Sequence, residues 1–175
     1  MENKTNSFKN IAFTNGVLLA ASSIVILVLM YVLNLPQEWY ISIISMAITI
    51  YLIATGITSL KKSQGGYISL VESLKMGMAI AAIAGVIGGL FAFIHYTFIY
   101  PEFIDTALEQ SREQTLKFSP DLSDEDLEKS MEFSRMVSTP FVYATISLIG
   151  TIFIGFIISL ITGLVVKKED PYAQQ

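Results

Sequence analysis

The sequence contains no cysteine and a single histidine, His95, among its 175 residues. Without thiols it can build neither a disulfide scaffold nor a thiolate metal site, and one imidazole cannot make a histidine metal cluster. Charge is scarce too: Asp, Glu, Lys and Arg make up 15% of the chain, whereas a water-soluble domain carries about 25%. The net charge of −4 argues against a nucleic-acid partner, because such binding depends on basic residues that neutralise phosphates. No cofactor is implied.

What is abundant is apolar sequence, 53% of the residues, and it is arranged in runs. No charged residue occurs from Asn10 to Gln37, Trp39 to Leu60, Met76 to Pro101 or Met136 to Val166. Each run exceeds the roughly 20 residues with which an α-helix crosses about 30 Å of hydrocarbon. Four spans follow, near Ile11 to Leu35, Trp39 to Leu60, Lys75 to Tyr100 and Phe141 to Val166. They are helices and not barrel strands, since the run Ile24 to Met30 is apolar on every side and barrel strands alternate. In lipid a helix also satisfies its own backbone. The expected fold is an all-α integral membrane protein, one domain over residues 1–175 whose immediate partner is the lipid bilayer. The first span reads as retained and not as a cleaved signal, because its apolar run continues through Leu33.

Cations near span ends set the orientation. Lys4, Lys9, Lys61, Lys62, Lys75, Lys167 and Lys168 fall on one side of the alternating segments, seven in all, against four in Glu102 to Arg135. Both termini are therefore expected in the cytoplasm, and the segment 101–139 outside it. Trp39, Tyr40, Tyr31, Tyr96 and Tyr100 fall near the outer span ends, where amphipathic rings favour the headgroup layer.

The outer segment reads as a helical hairpin. Pro101 ends the third span and can open a new helix, with Glu102 and Asp105 in its first turn and Lys117 in its last. Phe103, Ile104, Ala107 and Leu108 form its apolar stripe. Ser119-Pro120-Asp121 marks the turn. Ser123 and Asp126 form a capping box, with Leu122 and Leu127 as its staple, so the second helix starts at Ser123. Leu127, Met131, Phe133 and Met136 supply apolar contacts, and Pro140 interrupts before the last span. Asp105, Glu109 and Glu113 make an acidic ridge at four-residue spacing. Such a ridge suits a basic partner or a cation, and is more simply a solvated face; the glycine-bearing loop of a calcium site is absent.

Inside the spans, Gly77, Ala81, Gly85 and Gly89 recur every fourth residue, as do Ser147, Thr151, Gly155, Ser159 and Gly163. Such ridges let helix backbones approach closely in lipid, either between the third and fourth spans or between copies in a homo-oligomer. His95 is placed in the outer headgroup zone near Pro101, with a hydrogen-bonding role weighed against a protonation gate. Glu72 and Lys75, three residues apart, read as a surface pair with the lysine snorkelling, or as a docking site. Paired aspartates, a zinc motif and a phosphate loop are all missing from the spans, so no enzymatic activity is expected. Asn15, Thr49, Thr55 and Thr58 offer scattered polar lining for a small transporter or channel subunit, the alternative to a structural or interaction protein that contacts another membrane protein or its own copy.

The stretch Gly65-Gly66-Tyr67-Ile68-Ser69, followed by Glu72, by Lys75-Met76-Gly77 and by Tyr100-Pro101-Glu102-Phe103, resembles the family of Bacteroidota membrane proteins called domain of unknown function 4199. The likeness covers nearly the whole chain. It implies a four-helix protein of the bacterial inner membrane and carries over no catalytic residue.

Overall fold

A computed structural model describes residues 2–35 and 39–168, with side chains from Ser7 onward. The Lys4 side chain, counted among the cations that set the orientation, lies outside these residues. Among the described residues the order is α1 (Glu2–Val32), α2 (Trp39–Ser63), α3 (Leu70–Ile94), a π-helical turn (His95–Ile99), α4 (Phe103–Phe118), α5 (Asp124–Val137) and α6 (Pro140–Val166). Four segments are long and apolar enough to cross a bilayer: Ser7–Val32, Trp39–Ser63, Leu70–Ile99 and Pro140–Val166, of 26, 25, 30 and 27 residues.

The helix ends have local causes. α1 stops at Val32, three residues before the expected Leu35, because Asn34 turns to φ 52°. Asn34 N–H then donates to Tyr31 O (3.2 Å) and Leu35 N–H to Met30 O (2.9 Å), the paired bonds of a Schellman end. α2 ends the same way three residues beyond the expected Leu60: Gly65, at φ 78°, donates to Lys62 O and Gly66 to Lys61 O. A side chain would strain that left-handed position.

Pro101 has two effects. It forces Tyr100 out of helical geometry, to φ −136° and ψ 63°, as a following proline does. The last turn of the third span then widens, with Tyr100 N–H reaching back five residues to His95 O at 2.8 Å. The chain breaks before the last span as expected, with α5 ending at Val137, and Pro140 stands just after the break, one residue before the expected Phe141. It is the first residue of α6, where its missing N–H costs nothing, and Thr139 Oγ1 caps the helix by accepting from Val142 N–H at 3.2 Å.

Contacts divide the chain into two compact units, Met1–Gly88 with Leu148–Gln175, and Gly89–Ser147. In the first, α3 is the central element. Gly16 of α1 faces Ile83, Gly56 of α2 faces Ile80, and Gly155 of α6 faces Ala81. Ile53, Ile57, Leu60, Ile68, Met76 and Ile80 form the core, each no more than 2% exposed. On α2 the buried residues run from Leu52 to Leu60, toward its lysine-bearing end, while Trp39, Tyr40, Ile43 and Ile44 are exposed. Lipid tails are as apolar as these side chains, so outward-facing rings and isoleucines carry no penalty there. In the second unit α4 and α5 contact each other, joined by a Ser111 Oγ to Ser134 Oγ hydrogen bond of 3.0 Å.

Candidate functional site

The small-residue ridges meet within this chain. A Cβ on Gly77 would overlap the Cβ and Oγ of Ser159, and one on Gly155 would overlap the Cβ of Ala81. A Cβ on Gly85 would lie 2.7 Å from Leu148 Cδ1, and one on Gly163 would lie 2.8 Å from Ser73 Cβ. At Gly77, Gly155 and Gly163 the close approach sets glycine against a small residue, Ser159, Ala81 or Ser73, while Gly85 makes room for Leu148. The buried hydroxyls do not open a polar path, because Ser159 Oγ donates to Gly155 O on its own helix and Ser73 Oγ to Ser69 O. Thr151 is half-buried on the same line of α6, Ser147 is exposed, and Gly89 is buried in the second unit.

At the lysine-bearing end, the turn between α2 and α3 clips the end of α6. Ile68 N–H donates to Lys168 O at 2.9 Å and Lys168 N–H to Ile68 O at 3.0 Å, an isolated antiparallel bridge. Lys61 Nζ donates to Val166 O at 2.7 Å, placing a cation on the negative end of the α6 dipole. Lys168 Nζ stands 5.1 Å over the Tyr67 ring, within cation–π range. Glu72 works here, in a role its spacing from Lys75 does not suggest. Its carboxylate accepts from Ser69 N–H (2.8 Å), Ser69 Oγ (2.9 Å) and Gln64 Nε2 (3.0 Å), and Ser69 Oγ accepts from Glu72 N–H at 3.2 Å. That is a capping box at the start of α3. Lys75 is exposed.

At the other end of the third span, the structure buries His95 to 1% exposure and surrounds it with rings. Phe91 stacks on the imidazole at 5.9 Å, while Tyr96 and Tyr100 present edges at 5.3 and 6.3 Å. The cluster continues through Tyr96 stacked on Phe103 at 4.2 Å and Phe103 edge-on to Tyr143 at 5.3 Å. These offset and edge contacts are the favoured aromatic arrangements, and they fix the start of α4 beside the first turn of α6.

The capping box of α5 forms. Ser123 Oγ accepts from Asp126 N–H at 3.2 Å, and Asp126 reaches back to the Ser123 hydroxyl at 2.7 Å. The stripe Phe103, Ile104, Ala107 and Leu108 is half-buried, and Asp105, Glu109 and Glu113 are exposed on the opposite side of α4. The apolar set of α5 divides. Leu127 and Met131 are half-buried, whereas Phe133 and Met136 are 64% and 69% exposed. Among the described residues, no group of three or more His, Asp or Glu side chains is placed to hold a metal ion.

A family model described as Protein of unknown function (DUF4199) matches residues 14–168, ending on the lysine that pairs with Ile68. No curated protein and no solved structure matches the chain.

Proposed function

The chain belongs to the DUF4199 family, and we propose that it acts as a non-enzymatic membrane protein whose α4–α5 hairpin, held outside the bacterial inner membrane, contacts a partner bearing basic groups. The single observation behind this reading is the division of labour on α4: one side is half-buried while Asp105, Glu109 and Glu113 stand exposed together on the other. The small-residue ridges of α3 and α6 are used on each other, which leaves the hairpin as the surface for contact with another membrane protein or a second copy.

The orientation rests on the seven cations at one end, which retain both termini in the cytoplasm. The transporter alternative loses support from the same side chains that suggested it. Asn15 Nδ2 donates to Ile11 O, and the hydroxyls of Thr49, Thr55 and Thr58 donate to the carbonyls of Ser45, Tyr51 and Ala54. Each of these polar groups is engaged with its own helix backbone.

Photo-crosslinkers placed at Glu109 and Glu113 in living cells test the reading. A discrete adduct is expected from each position, lost when the other two carboxylates of the set Asp105, Glu109 and Glu113 are changed to Lys. Two epitope-tagged versions of the chain identify a second copy. Recovery of uncrosslinked monomer from both positions contradicts the proposal.

A further inference from the structure

We propose that the last turn and a half of α5 is a lipid-binding surface, with Phe133, Met136 and Val137 seated in the outer headgroup layer. This goes beyond the partner contact of the acidic ridge, although it shares the four-span reading. The three residues lie at i, i+3 and i+4, so they share one face, and they are 64%, 69% and 38% exposed. Phe133 and Met136 point away from the side that meets α4, where Leu127, Ser130, Met131 and Ser134 are half-buried and Ser134 bonds Ser111, and Val137 stands at the margin between the two.

Connectivity says what covers it. Only Ser138 and Thr139 separate Val137 from Pro140, where the last span begins, so Val137 lies within about 11 Å of that residue. The headgroup region on each side of the hydrocarbon is about 5 to 8 Å deep. The neighbouring root of the hairpin is pinned at the same level, since Phe103, the first residue of α4, meets Tyr143 of α6 at 5.3 Å. Along the exposed face the order toward the span is Lys129, Phe133, then Met136 and Val137. The ion-paired Lys129, 2.7 Å from Glu125, stands farthest from the span and the apolar groups nearest, a gradient that matches descent from water toward acyl chains.

The absence of cysteine makes a direct test simple. Phe133→Cys, Met136→Cys and Glu109→Cys are each spin-labelled in the full chain, reconstituted in vesicles of phosphatidylethanolamine and phosphatidylglycerol. Relaxation by lipid-soluble oxygen is compared with relaxation by a water-soluble nickel chelate. Oxygen is expected to dominate at 133 and 136, and the chelate at 109. Val137→Cys repeats the measurement with Phe133 and Met136 intact. Chelate dominance at 133, 136 and 137 overturns the proposal, and so does protection from both reagents, which signifies a protein on the face. Neither result bears on crosslinking at Glu109 and Glu113, so failure here is distinguishable from failure of the partner contact.

Discussion

Ile68 and Lys168 exchange two backbone hydrogen bonds, of 2.9 and 3.0 Å, and so tie the turn after α2 to the end of α6. Two otherwise orphaned helix ends are satisfied beside that bridge: Glu72 and Ser69 cap the start of α3, and Lys61 caps the end of α6. Unsatisfied terminal N–H and C=O groups are a cost wherever water is excluded. Ile68 is 1% exposed, so the bridge also holds an apolar anchor against the core.

Lys168→Pro removes the N–H that bonds Ile68 O, while Lys168→Gln removes only the cation over Tyr67. One lost hydrogen bond is worth about 1 kcal/mol, roughly a fivefold faster opening. Hydrogen exchange at Ile68 should therefore quicken in the proline variant and change little in the glutamine variant. Equal exchange in both would remove the bridge from the account.

Glu72→Ala should cost about 1 to 2 kcal/mol, since it removes an acceptor shared by Ser69 and Gln64. Glu72→Gln, which retains a carbonyl acceptor, should cost less. Exchange rates of the amides of residues 70–73 in detergent micelles check the order. A reversed order contradicts the capping role.

Gly155→Ala should destabilise by about 1 to 3 kcal/mol, because its new methyl meets the Cβ of Ala81, which cannot rotate away. Gly56→Ala presses on Ile80 Cδ1, the mobile end of a side chain, and otherwise makes ordinary contacts with Asn15, whereas Gly88→Ala meets nothing within 4 Å. Thermal unfolding in micelles should rank the three with Gly155→Ala lowest and Gly88→Ala at or above the parent. Identical midpoints would show that the α3–α6 contact is loose.

Ser123→Ala should lose about 1 kcal/mol of α5 stability, since Ser123 Oγ accepts from Asp126 N–H at that helix start. Amide exchange should rise over residues 124–127 and stay unchanged in α3. A rise spread through the whole chain would mean that α5 is not a separate cooperative segment.

The spans are legible in the sequence because lipid excludes charge, and the gaps between charges mark them out. Span ends are less legible, since Leu33-Asn34-Leu35 continues an apolar run while a single left-handed residue, Asn34, ends the helix. The capping box Ser123–Asp126 could be read locally. The matching pattern Ser69–Glu72 was equally available, but the nearby Lys75 draws Glu72 into a charge pairing that hides it. The bridge from Ile68 to Lys168 and the ring nest around His95 join residues distant in sequence or altered by a π-turn, and no local periodicity encodes them. The α5 face shows the same limit: Met131 and Phe133 are both apolar, and only their packing separates a half-buried residue from an exposed one.

The central claim, a four-span protein with its acidic hairpin outside, is tested most directly by labelling intact cells with a membrane-impermeant maleimide. Ser119→Cys and Ser63→Cys are each the sole thiol of their chains, since the sequence has none. With the outer membrane made permeable, Ser119→Cys should label at once and Ser63→Cys only after the inner membrane is lysed. Immediate labelling of Ser63→Cys with protection of Ser119→Cys would contradict the account.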